Sequence, residues 1–97
     1  MFSIEKLPQS DLYQVTFIFS GCPGNKVALT GSFIDWDPEK LFMKYCDEKQ
    51  AYIYTIELPA GCYEYKFIID GEWMTDLDNT NFSANDFGTL NSVLNIG

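Results

Sequence analysis

The Asp70-Gly71 step constrains this chain more than any other feature. It separates Tyr65-Lys66-Phe67-Ile68-Ile69 from Glu72-Trp73-Met74-Thr75, two runs of strand-forming residues. Asp-Gly between such runs is a strong hairpin signal, because a two-residue type I′ turn requires φ > 0 at both central positions. With Asp70 and Gly71 as the turn, pairing follows by counting: Ile69 lies opposite Glu72, and Ile68 opposite Trp73. Side chains alternate between the faces of a strand. Tyr65, Phe67, Ile69 and Met74, with Glu72 at the turn end, form the face expected to pack into a core. Lys66, Ile68, Trp73 and Thr75 form the outward face. Diagonal neighbours across such a pair lie about 7–8 Å apart, within reach of one ligand for long side chains. An indole and an ammonium therefore share one outward surface.

The rest of the chain reads as more strands. Leu12 to Ser20 alternates Tyr13, Val15, Phe17 and Phe19 with Gln14, Thr16 and Ile18. Gly21 to Asn25 is dense in turn residues. Lys26–Thr30, Leu41–Lys44, Ala51–Leu58 and Thr89–Ile96 follow as strands, and Met1 to Pro8 reads as a lead-in or edge strand. Trp36 falls in a loop between Gly31 and Asp37-Pro38. Asp76 to Asp86 reads as an acidic loop, long enough to suggest a functional or packed excursion. Seven or eight short antiparallel strands with no amphipathic helix predict an all-β, immunoglobulin-like sandwich. With 97 residues and no visible linker, the expectation is a single domain over residues 1–97.

Composition narrows the partners. The net charge is −8, with six Lys and no Arg. That is the wrong balance for a nucleic acid or an anionic membrane, so neither is expected. No His is present, which removes the commonest general base and metal ligand. Cys22, Cys46 and Cys62 fit neither a zinc pattern nor a disulfide framework. They read as reduced, mostly buried thiols of a cytoplasmic protein. No signal-peptide pattern opens the sequence, and no apolar run is long enough to span a bilayer.

Trp36, Lys66, Trp73, Thr89 and Asn91 are the candidate binding residues. Sugar rings present apolar C–H faces and a rim of hydroxyls. Large flat rings suit the faces, and Lys, Thr and Asn supply the donors and acceptors for the rim. From position alone, each tryptophan reads equally well as a core residue. The acids Asp35, Asp37 and Glu39, and Asp76 and Asp78, lack the spacing of a calcium loop and read as solvated turn residues rather than metal ligands or a glycosidase pair. Ser32 has no His to activate it, and Cys62 shows no clear activating neighbour. No enzyme, cofactor or metal is expected.

Three stretches in order carry a resemblance: Val27-Ala28-Leu29-Thr30-Gly31-Ser32-Phe33-Ile34-Asp35-Trp36, then Leu58 to Trp73, then Phe87-Gly88-Thr89-Leu90-Asn91. Together they resemble carbohydrate-binding module family 48, the group that includes the glycogen-binding domain of the AMP-activated protein kinase β subunit. The resemblance runs from about Thr16 to Ile96. It implies an early-set immunoglobulin-like sandwich that binds α-1,4-linked glucans such as glycogen and starch. It implies that Trp36 and Trp73 stack on glucose rings, and that Lys66, Thr89 and Asn91 meet sugar hydroxyls. Phe87 stands where the family often carries a leucine that contacts the sugar ring. A glucan-metabolism enzyme or a kinase is the implied protein partner. A competing reading makes the same aromatic patch a docking surface for a basic protein.

Overall fold

The computed structural model describes residues 1–97. Ten strands and one 3-10 turn make two antiparallel sheets. The first sheet orders β1 (Phe2–Lys6), β2 (Leu12–Ser20), β6 (Ala51–Pro59) and β5 (Lys44–Cys46) side by side. The second orders β4 (Leu41–Phe42), β3 (Val27–Gly31), β7 (Gly61–Ile69), β10 (Leu90–Ile96) and β9 (Phe82–Ala84). On the β10 side of β7, β8 (Glu72–Met74) takes over near the turn: β10 pairs Gly61 to Tyr65, and β8 pairs Phe67 to Ile69. The architecture is the expected immunoglobulin-like sandwich, with more strands than the seven or eight expected. The extra ones are two- and three-residue pieces that sequence periodicity is too short to reveal.

The hairpin register matches the count from sequence: Ile69 opposes Glu72 and Ile68 opposes Trp73. Asp70 and Gly71 have φ of 49° and 89°, the two positive values that the turn demands. The Asp70 carboxylate accepts the Lys26 N–H at 2.8 Å, and the Asp70 N–H donates to the Lys26 carbonyl at 2.9 Å. The turn is thereby fastened to the start of β3.

The inward faces make one core. Val15, Phe17, Tyr52 and Leu58 of the first sheet meet Val27, Leu29, Tyr65, Phe67, Leu94 and Ile96 of the second. Phe17 and Tyr65 rings lie 4.9 Å apart at 65°, and Phe19 and Phe67 rings 5.3 Å apart at 57°. The first pair is edge-to-face and the second tilted, and such aromatic pairs add about 0.5–1.5 kcal/mol each beyond area burial.

Four expectations need correction. The thiols are not mostly buried: Cys22 and Cys62 are exposed and Cys46 is half-buried, because Cys22 lies in a turn and Cys62 sits on an outward strand position. The stretch from Asp76 to Asp86 is not all loop, since Phe82–Ala84 forms edge strand β9 against β10. Asp76 is not solvated but 3% exposed. It accepts the Tyr65 hydroxyl at 2.7 Å and the Asp78 N–H at 3.0 Å, and it pairs with the Met1 ammonium. Lastly, outward did not mean exposed for Lys66 and Ile68, which are buried because strands flank β7 on both sides.

Candidate functional site

The candidate residues converge because β7 lies in the middle of its sheet. On its outward face, Glu64 and Lys66 alternate with the inward Tyr65. The register puts Thr30 of β3 beside Lys66 on one side, and Val93 of β10 beside Glu64 on the other. Asn91 extends the β10 ladder one step past Ser92, which opposes Tyr65, and so reaches the level of Lys66. Trp73 stands on β8 one outward position toward the turn.

Trp36 arrives from another direction. Gly31 ends β3 with extended backbone, and a Cβ there would sit 2.5 Å from the Glu64 carbonyl and 2.6 Å from the Phe33 ring. Only glycine permits that approach. Ser32–Ile34 then make the 3-10 turn, and Asp35 and Trp36 follow with φ of 54° and 60°. Two successive non-glycine residues in the left-handed region, one of them a tryptophan, cost about 1–3 kcal/mol each. The loop is held by the Trp36 N–H on the Gly31 carbonyl (2.9 Å) and the Thr30 hydroxyl on the Asp37 carbonyl (2.9 Å). Backbone strain of this kind clusters where a side chain must be aimed. Here it aims an indole at the outward face of β7.

The result is one concavity of about 700 Å³ lined by Trp36, Lys66, Trp73, Phe87, Thr89 and Asn91, together with Glu64, Ala84, Asn85 and Asp86. All six residues singled out in the sequence border it. Neither tryptophan is a core residue: Trp73 is 47% exposed and Trp36 is half-buried. Phe87 is the most exposed large apolar side chain, at 91%.

A hydrogen-bonded chain crosses the floor. Lys66 Nζ donates to Thr89 Oγ1 at 3.0 Å. Asn85 Nδ2 donates to the same oxygen at 2.7 Å and to Asn91 Oδ1 at 2.9 Å. Asn91 Nδ2 donates to Glu64 Oε1 at 3.1 Å. Because Thr89 Oγ1 accepts two donors, its own proton points elsewhere and is available to the groove. Lys66 keeps two unused donors, and Glu64 a second carboxylate oxygen. The floor offers donors at the Lys66–Thr89 end and an acceptor at the Glu64 end.

Asn85 and Glu64 were missed in the sequence. Asn85 organises the loop that carries Phe87: its Oδ1 accepts the Phe87 N–H at 3.0 Å and the Thr89 N–H at 3.1 Å. The asparagine-initiated turn Asn85-Asp86-Phe87-Gly88 was a legible signal for such a role. Glu64 was legible as sharing Lys66's face by strand alternation. No group of three or more His, Cys, Asp or Glu side chains has the arrangement to hold a metal ion.

The family model for the glycogen recognition site of AMP-activated protein kinase matches residues 13–97. The chain belongs to this family. Among its relatives, the amyloplastic phosphoglucan phosphatase of Castanea sativa is 30% identical over 82 residues, 84% of this chain and 22% of that protein. The AMP-activated protein kinase subunit beta-1 of Sus scrofa is 29% identical over 73 residues, 75% of this chain and 56% of that protein. The beta-2 subunit of Homo sapiens is 27% identical over the same length, 25% of that protein. As a glycogen-recognition domain, the chain thus spans between about a fifth and just over half of these relatives. The matched region takes in the whole groove, from the Trp36 loop to Asn91.

Proposed function

We propose that this domain binds α-1,4-linked glucan without catalysing a reaction on it, through the groove between Trp36 and Trp73. The observation that carries the reading is the meeting of two indoles from separate elements over one polar chain, Lys66–Thr89–Asn85–Asn91–Glu64. The indoles suit the apolar faces of glucose residues. Lys66 and the Thr89 hydroxyl suit sugar oxygens as donors, and Glu64 suits sugar hydroxyls as an acceptor. The exposed Phe87 ring supplies a further apolar contact at the mouth, in place of the family's leucine. An α-1,4 chain curls, and a curled chain fits a concave groove better than the flat ribbon of a β-1,4 chain.

Binding is expected to be weak. Two stacked rings at about 1–3 kcal/mol each offset little more than the cost of association. We further propose that the domain delivers an attached or partner enzyme to glucan, since its relatives are a phosphoglucan phosphatase and kinase subunits.

Isothermal titration with maltoheptaose and with cellohexaose tests the reading. Micromolar to millimolar binding of maltoheptaose, with little or none of cellohexaose, is the expected outcome. Absence of heat with maltoheptaose, or equal heat with both, overturns it.

A further inference from the structure

The register places one row of side chains straight across the second sheet. Phe42 on β4 pairs with Ala28 on β3, Ala28 pairs with Ile68 on β7, and Ile68 pairs with Trp73 on β8. Directly paired residues share a face, so all four point outward. The row is large, small, medium, large. Two aromatic rings stand three strand spacings apart, roughly 14 Å at the usual spacing between strands, with a lower floor of Ala28 and Ile68 between them. Ala28 is 3% and Ile68 6% exposed, whereas Phe42 is 41% and Trp73 47% exposed. That difference in height is a trough, and a second concavity of about 190 Å³ lies there.

Its rim is polar. The Lys26 ammonium lies 5.0 Å from the centroid of the Phe42 ring, and Glu39 borders the same trough. The trough thus shares with the main groove an aromatic wall, an ammonium donor and a carboxylate acceptor, but its floor, Ala28 and Ile68, is apolar. The two concavities share Trp73. A chain leaving the main groove past this indole enters the trough directly.

We infer that the Phe42–Trp73 trough is an accessory subsite for further glucose residues of the same glucan chain, beyond those held between Trp36 and Trp73. The inference rests on the glucan-binding reading of the main groove. A chain too short to pass Trp73 gains nothing from the trough, whereas a longer one gains an extra apolar contact. Affinity therefore rises with chain length through Phe42.

Titration of the unsubstituted chain and of Phe42→Ala with maltotriose and maltoheptaose tests this. The substitution should weaken maltoheptaose binding by about tenfold, the scale of one aromatic contact, and leave maltotriose unchanged. In the unsubstituted chain, the methyl resonances of Ala28 and Ile68 should shift with maltoheptaose and stay in place with maltotriose. Equal effects of Phe42→Ala on both sugars, no effect on either, or unmoved methyls at saturating maltoheptaose each overturn the subsite. Failure of the main-groove reading is a different result: the unsubstituted chain then binds neither sugar, and both ideas fall together.

Discussion

Tyr65 and Lys66 are consecutive residues, and Asn91 and Ser92 are consecutive residues, yet each pair divides between two polar networks on opposite faces of one sheet. On the inner face, Tyr65 donates to Asp76, Asn79 donates to the Tyr65 hydroxyl at 3.1 Å, and the Asp76 N–H donates to Ser92 Oγ at 2.8 Å. On the outer face, Lys66, Thr89, Asn85, Asn91 and Glu64 form the groove floor. The inner network is closed: no buried side-chain polar atom lacks a partner. Burial, and then the bond to Asp76, push the Tyr65 phenol well above the usual tyrosine range. The outer network has spare capacity, in the unused donors of Lys66 and the second oxygen of Glu64. A closed network contributes to stability, because breaking it strands a desolvated group. An open one contributes to recognition, because a ligand completes it.

This contrast separates the expected effects of substitutions. Asp76→Ala leaves the Tyr65 hydroxyl proton without its acceptor in the core, with only the Asn79 amide still bonded to that oxygen, and should cost about 2–3 kcal/mol of unfolding free energy. Chemical denaturation measures that cost; if stability is retained, the inner network is not the structural tie described. Gly31→Ala should fall in the same range, because its Cβ would collide with the Glu64 backbone. It should also displace the Trp36 loop, a change visible in near-ultraviolet circular dichroism.

Outer-face substitutions should do the reverse. Trp36→Ala and Trp73→Ala should each weaken maltoheptaose binding by about 1–3 kcal/mol, read by titration, while the melting temperature stays within a few degrees. A variant that unfolds instead would move that indole to the structural side of the comparison. Asn85 lies between the two classes. Asn85→Asp keeps an acceptor for the Phe87 and Thr89 N–H groups but loses the donor to Thr89 and Asn91, whereas Asn85→Ala loses both. Glucan affinity should therefore fall in the order Asn, Asp, Ala, by about 1 kcal/mol per step. Equal affinities would show that the loop holds Phe87 without this side chain. The smallest effect is expected at Thr16→Val, on the solvent side of the first sheet, where Thr16 meets only the Thr55 hydroxyl at 3.1 Å. Stability should change by less than about 0.5 kcal/mol, with binding untouched.

Much of this was legible in residue order. Ile68 and Trp73 pair as the Asp70-Gly71 turn requires, and Val15, Phe17, Phe67 and Leu94 face the core as alternation requires. Trp36, Lys66, Trp73, Phe87, Thr89 and Asn91, legible from strand alternation and family resemblance together, border one groove. Asp76 was misread because an acid among polar residues resembles a surface turn until Tyr65 and Ser92 are known to lie beside it. Cys22 and Cys62 were misread because thiols are usually buried, and position in a turn or on an outward face outweighs that tendency.

By itself, the sequence determined the local geometry: the type I′ turn, the strand faces and the loop that follows Gly31. These follow from sterics within a few residues, which distant contacts seldom override. The tertiary structure decided which outward residues remain open to solvent and which polar groups close on one another. Lys66 and Ile68 became floors because neighbours flank β7 on both sides, and Trp73 became a wall because its short strand β8 pairs with β7 alone. Those outcomes depend on which strands pair across long separations, and that pairing is set by burial of the whole core rather than by any one segment.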